Sequence, residues 1–232
     1  NIKKQNLSIA KNIGLKFSKS NTIFFLDDDV SINNNYFNYC TNFHKSKKCD
    51  LMFSKIIQKK TLKPLSKNMG NNNKKINFFN LSSCLSSSMC IFLKNQKKIF
   101  FDEKFGLGAK YGSGEETDFV FNYLKMKKKI YYFAKGMIYH PDQFTETKNL
   151  KQVKEKFYSY GMGQGAIIKK NYQKLKLLSL LLFIITLVKS IIMTISYLVL
   201  FDRNNMNKYF SLLKGKVSGF IKYNYNLSEN RK

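Results

Sequence analysis

The sequence predicts an α/β domain followed by a helical, membrane-associated region, and three observations carry that reading. Short runs rich in strand formers, at residues 22–26, 50–57, 88–93 and 130–133, alternate with stretches whose apolar residues recur at helical spacing. Aspartates close the first run, at a strand end, where open α/β sheets place their ligands. From residue 175 to 201 the composition turns apolar, and about 25 such residues extend roughly 37 Å as a helix, enough for a bilayer core. A chain of 232 residues accommodates one globular domain and such an appendage.

The elements follow in order. Leu7, Ala10, Gly14 and Phe17 fall on one helical face and predict a first helix with that face inward. The strand at 22–26 then leads into Asp27, Asp28 and Asp29. Residues 33–48 read as a helix with Tyr36, Phe37, Cys40 and Phe43 inward, and 50–57 as the next strand. Pro64, Gly70 and an Asn run make 59–75 a loop, and a Ser-rich turn at 82–87 precedes the strand at 88–93. Four glycines make 101–114 a loop over the site, ending where Glu115 starts a helix carrying Phe119, Val120, Tyr123 and Leu124. A strand at 130–133 and a segment 137–140 running into Pro141 complete a domain over residues 1–150.

Residues 151–232 form the second region. Tyr160-Gly161-Met162-Gly163-Gln164-Gly165 follows no strand, so these glycines serve close helix packing and not a dinucleotide. Lys189 interrupts the apolar segment at a cost of about 2.5–3.5 kcal/mol if it sits at a membrane centre. A single span, two short interfacial helices split near Lys189, and a buried helical hairpin all stay open. Residues 208–225 are basic and amphipathic, suited to an anionic membrane surface.

Lys and Arg number 41 against 14 Asp and Glu, a formal net charge of +27. The lysines are spread through every segment beside abundant Asn and Ile, so the excess reads as compositional bias, and no RNA-binding signature accompanies it; no specific nucleic-acid partner is expected. Cys40, Cys49, Cys84 and Cys90 lack the close pairing of a zinc site and read as reduced thiols. The chain opens at Asn1 inside an apparent helix, so an N-terminal portion is expected to be missing.

Within this basic chain two acidic knots stand out, Asp27-Asp28-Asp29 and Gly114-Glu115-Glu116-Thr117-Asp118. On an extended backbone Asp27 and Asp29 share a face, an Asp-x-Asp pair able to hold Mg²⁺ or Mn²⁺, hard cations that keep phosphate oxygens in their shell. Such an ion neutralises charge on a departing diphosphate. A carboxylate at a helix start can act as general base on an attacking hydroxyl. Acids in a first helical turn are also favoured by the helix dipole alone.

Asn12-Ile13-Gly14, the run 22–30 through the three aspartates, Phe101-Asp102-Glu103-Lys104-Phe105-Gly106, Gly114 to Phe119 and His140-Pro141 resemble, in order and spacing, the family 2 glycosyltransferases. The likeness covers residues 1 to about 141, with 160–171 and 214–223 similar to membrane-proximal tails of some bacterial members. The resemblance implies a GT-A fold, a Rossmann-like mixed sheet flanked by helices, here partial at its N-terminus because the base-clasping first strands have no counterpart. It implies transfer of a sugar from a nucleotide-diphosphate sugar to a hydroxyl of a glycan or lipid-linked acceptor, by inversion, in cell-surface glycan or glycolipid synthesis at the cytoplasmic face of the membrane. Asp27, Asp28 and Asp29 would contact the donor diphosphate and ribose. Asp29, Asp27 and His140 would hold Mn²⁺ or Mg²⁺, although a purely local role for His140 is open. Glu116 stands where the family carries its base, more often Asp, with Glu115 beside it and the choice open. The chain has no Trp and so lacks the Gln-x-x-Arg-Trp motif of processive synthases, which favours single-sugar addition. Two rivals remain at this stage: a two-metal phosphoryl-transfer enzyme or nuclease, and a non-enzymatic membrane-surface protein.

Overall fold

A computed structural model describes residues 6–66, 68–81, 88–93, 98–141 and 149–225. Cys84 and the Ser-rich turn at 82–87 lie outside the described residues. Contacts divide the chain into two units, Ala10–Phe101 with Glu116–Thr147, and Asn1–Ile9 with Asp102–Glu115 and Lys148–Lys232. The second unit begins its last segment close to the boundary expected at 150, and it also takes in the glycine loop.

In the first unit the described strands form one mixed sheet, ordered β1 (Thr22–Phe25), β5 (Met89–Phe92), β3 (Leu51–Gln58), β6 (Ile130–His140) and β2 (Ser31–Ile32), with β4 (Lys74–Lys75) also on β6. β3 and β6 are parallel and the other pairs antiparallel. This is the α/β class expected, a mixed sheet flanked by helices. β3 is buried along nearly its whole length, which is why it reads as a continuous apolar run and not an alternating one. The buried Ser54 on it is satisfied by the Tyr36 hydroxyl at 2.8 Å, and the buried Lys55 by the Asn71 side-chain amide oxygen, Oδ1, at 2.6 Å.

The structure corrects several boundaries. The segments at 130–133 and 137–140 are one strand: β3 pairs Ser54 with Phe133 and Lys55 with Met137, so residues 134–136 bulge out between them. Lys74–Lys75, placed in a loop by sequence, pairs with Tyr132 and Tyr131. In α2 (Tyr36–Lys47) Tyr36, Cys40 and Phe43 are buried, whereas Phe37 is 44% exposed and meets Phe24 and Tyr36 edge-to-face.

The largest correction concerns α1 (Leu7–Phe17). Asn6 caps it, accepting from the amides of Ser8 and Ile9. Its inward positions are Ser8 and Leu15, with Lys11 and Asn12 half-buried between them, while Leu7, Ala10, Gly14 and Phe17 are exposed. Apolar periodicity pointed to the wrong face because the inward face is largely polar and is satisfied by specific partners.

The second unit is built on α4 (Leu150–Val199) and α5 (Arg203–Lys222). α4 is broken at Lys176, where φ is 31° and ψ −105°, so residues 150–175 and 177–199 are two helices. The contacts of α5 show how they run. Tyr209 stacks on Tyr197, Lys216 reaches Ser190 and Thr186, and Phe220 stacks on Phe183, so α5 is antiparallel to 177–199. Gly215 abuts Gly161, Phe220 abuts Gly165 and the Tyr225 hydroxyl donates to the Lys169 carbonyl, so α5 runs parallel to 150–175. The chain therefore reverses at Lys176, and three helices pack together. The break lies at Lys176, not near Lys189, which stays inside the helix.

The glycines fulfil their expected packing role. A Cβ at Gly165 would land on the Lys216 carbonyl, and one at Gly219 on the Met162 carbonyl.

Candidate functional site

Asp27 and Asp29 lie just beyond β1, and His140 ends β6. β2 joins them: Ser31 pairs with Tyr139 and Ile32 with Ile138, which draws the aspartate turn alongside the end of β6. One carboxylate oxygen from each aspartate and one imidazole nitrogen all lie within 4.8 Å of one another. Asp28 is exposed in the same turn and outside this group. The pair converges through that turn, in which the Val30 amide approaches the Asp27 carbonyl at 3.5 Å, and not through strand alternation.

The imidazole is oriented. His140 Nδ1 lies 2.7 Å from the Pro141 carbonyl oxygen, which only accepts, so Nδ1 carries the proton and donates. Nε2 then presents its lone pair toward Asp29 Oδ1 at 3.6 Å. A lone pair facing a carboxylate is unfavourable unless a proton or a cation lies with them, so two carboxylates and this nitrogen fit a divalent ion. Lys59 adds a local cation, its ammonium donating to the Asp29 carbonyl at 3.3 Å while its amide donates to the His140 carbonyl.

Glu116 stands in the first turn of α3 (Glu115–Lys125), 3.0 Å from the Lys11 ammonium, with both side chains largely buried. The charge-assisted hydrogen bond fixes the direction of the carboxylate. The Lys11 ammonium also sits 5.3 Å over the Phe101 ring. Asn12 clamps the Phe101 backbone twice, donating to its carbonyl at 3.0 Å and accepting from its amide at 2.7 Å. The Phe101 ring stacks on Phe119 of α3 and meets Phe25 of β1 edge-on. One aromatic side chain thus ties the strand that delivers Asp27 and Asp29 to the helix that delivers Glu116.

Glu115 belongs to the other unit, its carboxylate within 3.4 Å of where a Cβ on Gly106 would stand. Gly106 has φ +104°, as have Gly108, Gly112 and Gly114 positive values, so the loop there requires glycine. Lys11 and Lys59 had no signal in a sequence where lysine is everywhere. Among the described residues the thiols are poor nucleophiles: burial raises Cys40 to about 11, Cys49 to about 12 and Cys90 well above its ordinary value.

No family model matches the chain, and no curated protein matches it. Solved structures similar to it include S. aureus TarS, with TM-score 0.44 and 14% identity over 71% of this chain. S. aureus TarS 1–349 in complex with UDP-GlcNAc gives 0.47 and 12% over 97%, and TarS 1–349 alone 0.47 and 13% over 95%. The chain spans 31% of the first of these and 74% and 72% of the other two.

Proposed function

We propose that this protein is a glycosyltransferase of the GT-A type that moves one sugar from a nucleotide-diphosphate sugar to a hydroxyl acceptor with inversion. The observation that carries the reading is the convergence of Asp27, Asp29 and Nε2 of His140 in the same unit as a positioned Glu116. Mn²⁺ or Mg²⁺ bound by Asp27, Asp29 and His140 would supply neutralisation of the departing diphosphate. Glu116, directed by Lys11, takes the proton of the acceptor hydroxyl as its oxygen bonds to the anomeric carbon and the bond to the diphosphate breaks. Glu116 is preferred to Glu115 as base because the Lys11 ammonium at 3.0 Å directs its carboxylate.

Among the described residues the possible metal ligands form one group, which contains neither glutamate. That favours a single-ion site over the two-metal arrangement of a nuclease. A glycan or lipid-linked acceptor and a place at the cytoplasmic face of a membrane fit the apolar helix, whose 18-residue window of mean hydropathy 2.4 is only 17% buried.

The test is sugar transfer and nucleotide-sugar hydrolysis with Mn²⁺, starting from UDP-GlcNAc, the ligand of the TarS complex. Asp29→Ala and Glu116→Gln should each abolish activity while leaving the circular dichroism unchanged. Activity that survives both substitutions would sink the assignment.

A further inference from the structure

Residues 177–199 are long and apolar enough to cross a bilayer, yet their surroundings are wrong for it. α5 runs antiparallel along them, and beside its exposed Phe210, Val217 and Ile221 it carries charge: Lys214 and Lys222 are exposed on it, and Lys216 is buried against Ser190. A transbilayer 177–199 would carry the exposed Lys214, which stands on α5 between the contacts of Tyr209 with Tyr197 and of Lys216 with Ser190, into hydrocarbon, where a charge finds no water. The opposite side of the helix tells the complementary story. Leu177, Leu181, Ile184, Val188, Ile195 and Leu198 are exposed at spacings of three, four and seven, one continuous apolar stripe facing away from α5. Lys174 and Lys176 at one end and Arg203 beyond the other are exposed, and between residues 149 and 225 only Glu155 and Asp202 are acidic. Lys189, exposed near Lys216, lies at the flank of the stripe toward α5, where a long side chain reaches upward.

We infer that residues 177–199 lie in the plane of an anionic bilayer surface, the apolar stripe sunk below the headgroups and α5 held above it, and do not cross the membrane. An in-plane helix of this kind buries its apolar face about 5–10 Å deep and is held by basic residues pairing with acidic headgroups. Both ends of the helix then stay on one side, and Lys189 reaches headgroups instead of the bilayer centre. The inference rests on the membrane association proposed above and adds its geometry; it stands whatever reaction the other unit performs.

The chain contains no Trp, so a single introduced one reports alone. Leu181→Trp, Val188→Trp and Ile195→Trp, in the full chain reconstituted from detergent into vesicles of 70% phosphatidylcholine and 30% phosphatidylserine, are read by quenching with lipids brominated at different acyl positions. Equal, shallow depths for all three are expected, with binding at least tenfold weaker to pure phosphatidylcholine. A Val188→Trp much deeper than the other two would overturn the in-plane geometry alone. Failure to bind either vesicle, with a doubled mass by light scattering, would overturn membrane association as well and assign the stripe to a second copy of the chain. Ile184→Glu should weaken binding at least tenfold with unchanged circular dichroism; unaltered binding would also count against the stripe.

Discussion

The two units bury opposite things. In the sheet unit a cluster of aromatic and aliphatic side chains is inside and Asp27, Asp28 and Asp29 stand at the surface, as water favours. In the helical unit Leu177 is 78% and Phe201 92% exposed, whereas Lys216 is only 4% exposed. The Lys216 ammonium is held there by the Thr186 carbonyl and the Ser190 hydroxyl, both at 2.8 Å. The inversion teaches that the two units are matched to different surroundings: one is finished by water, and the other leaves an apolar face that water does not satisfy.

The largest expected effect separates chemistry from scaffold. Glu116→Gln should cut transfer about 10²–10⁴-fold, the range for loss of a general base, with no change in melting temperature of the helical unit. Next comes the tie inside the sheet unit. Phe101→Ala removes a ring 3% exposed that touches Phe25, Phe119 and the Lys11 ammonium, and should cost about 3–5 kcal/mol in urea unfolding. If activity falls no more than stability does, Phe101 does not align the two carboxylate sites.

Gly165→Leu acts only on the helical unit, driving a side chain into the Lys216 carbonyl, and should cost about 3 kcal/mol, the upper part of the overpacking range. Transfer to a soluble acceptor measured on the folded fraction should be unchanged. The smallest effect has the opposite sign. Burial, with nearby Lys189 second, lowers Lys216 from 10.5 to about 8. Below pH 8 the folded and unfolded chains both carry its proton; between 8 and 10.5 the unfolded chain binds more, so stability rises with pH across that window. Lys216→Met should stabilise the protein by about 1–2 kcal/mol at pH 7 and flatten that rise, as replacement of a buried charge by a well-packed apolar chain allows. Unfolding free energy against pH for both proteins checks it.

Much of the sheet was legible because its buried strands are runs of strand formers bounded by turn residues. Asp27, Asp29, Glu116 and His140 were legible as residue types at strand and helix ends. The two-residue strands were not, since Ser31–Ile32 and Lys74–Lys75 form only because β6 offers an edge to pair with. Nor was the inward face of α1, where Lys11 and Asn12 are half-buried by partners 105 and 89 residues away.

The sequence by itself determined the alternation of elements, the two acidic knots and the apolar segment, because these are local properties of composition and periodicity. Only the tertiary structure decided that His140 joins Asp27 and Asp29, that Lys11 takes Glu116, and that the apolar segment is one arm of a three-helix packing with an amphipathic, basic partner along it. Each of those depends on residues distant in the chain meeting, and a meeting is fixed by strand pairing and close packing, which no local pattern encodes.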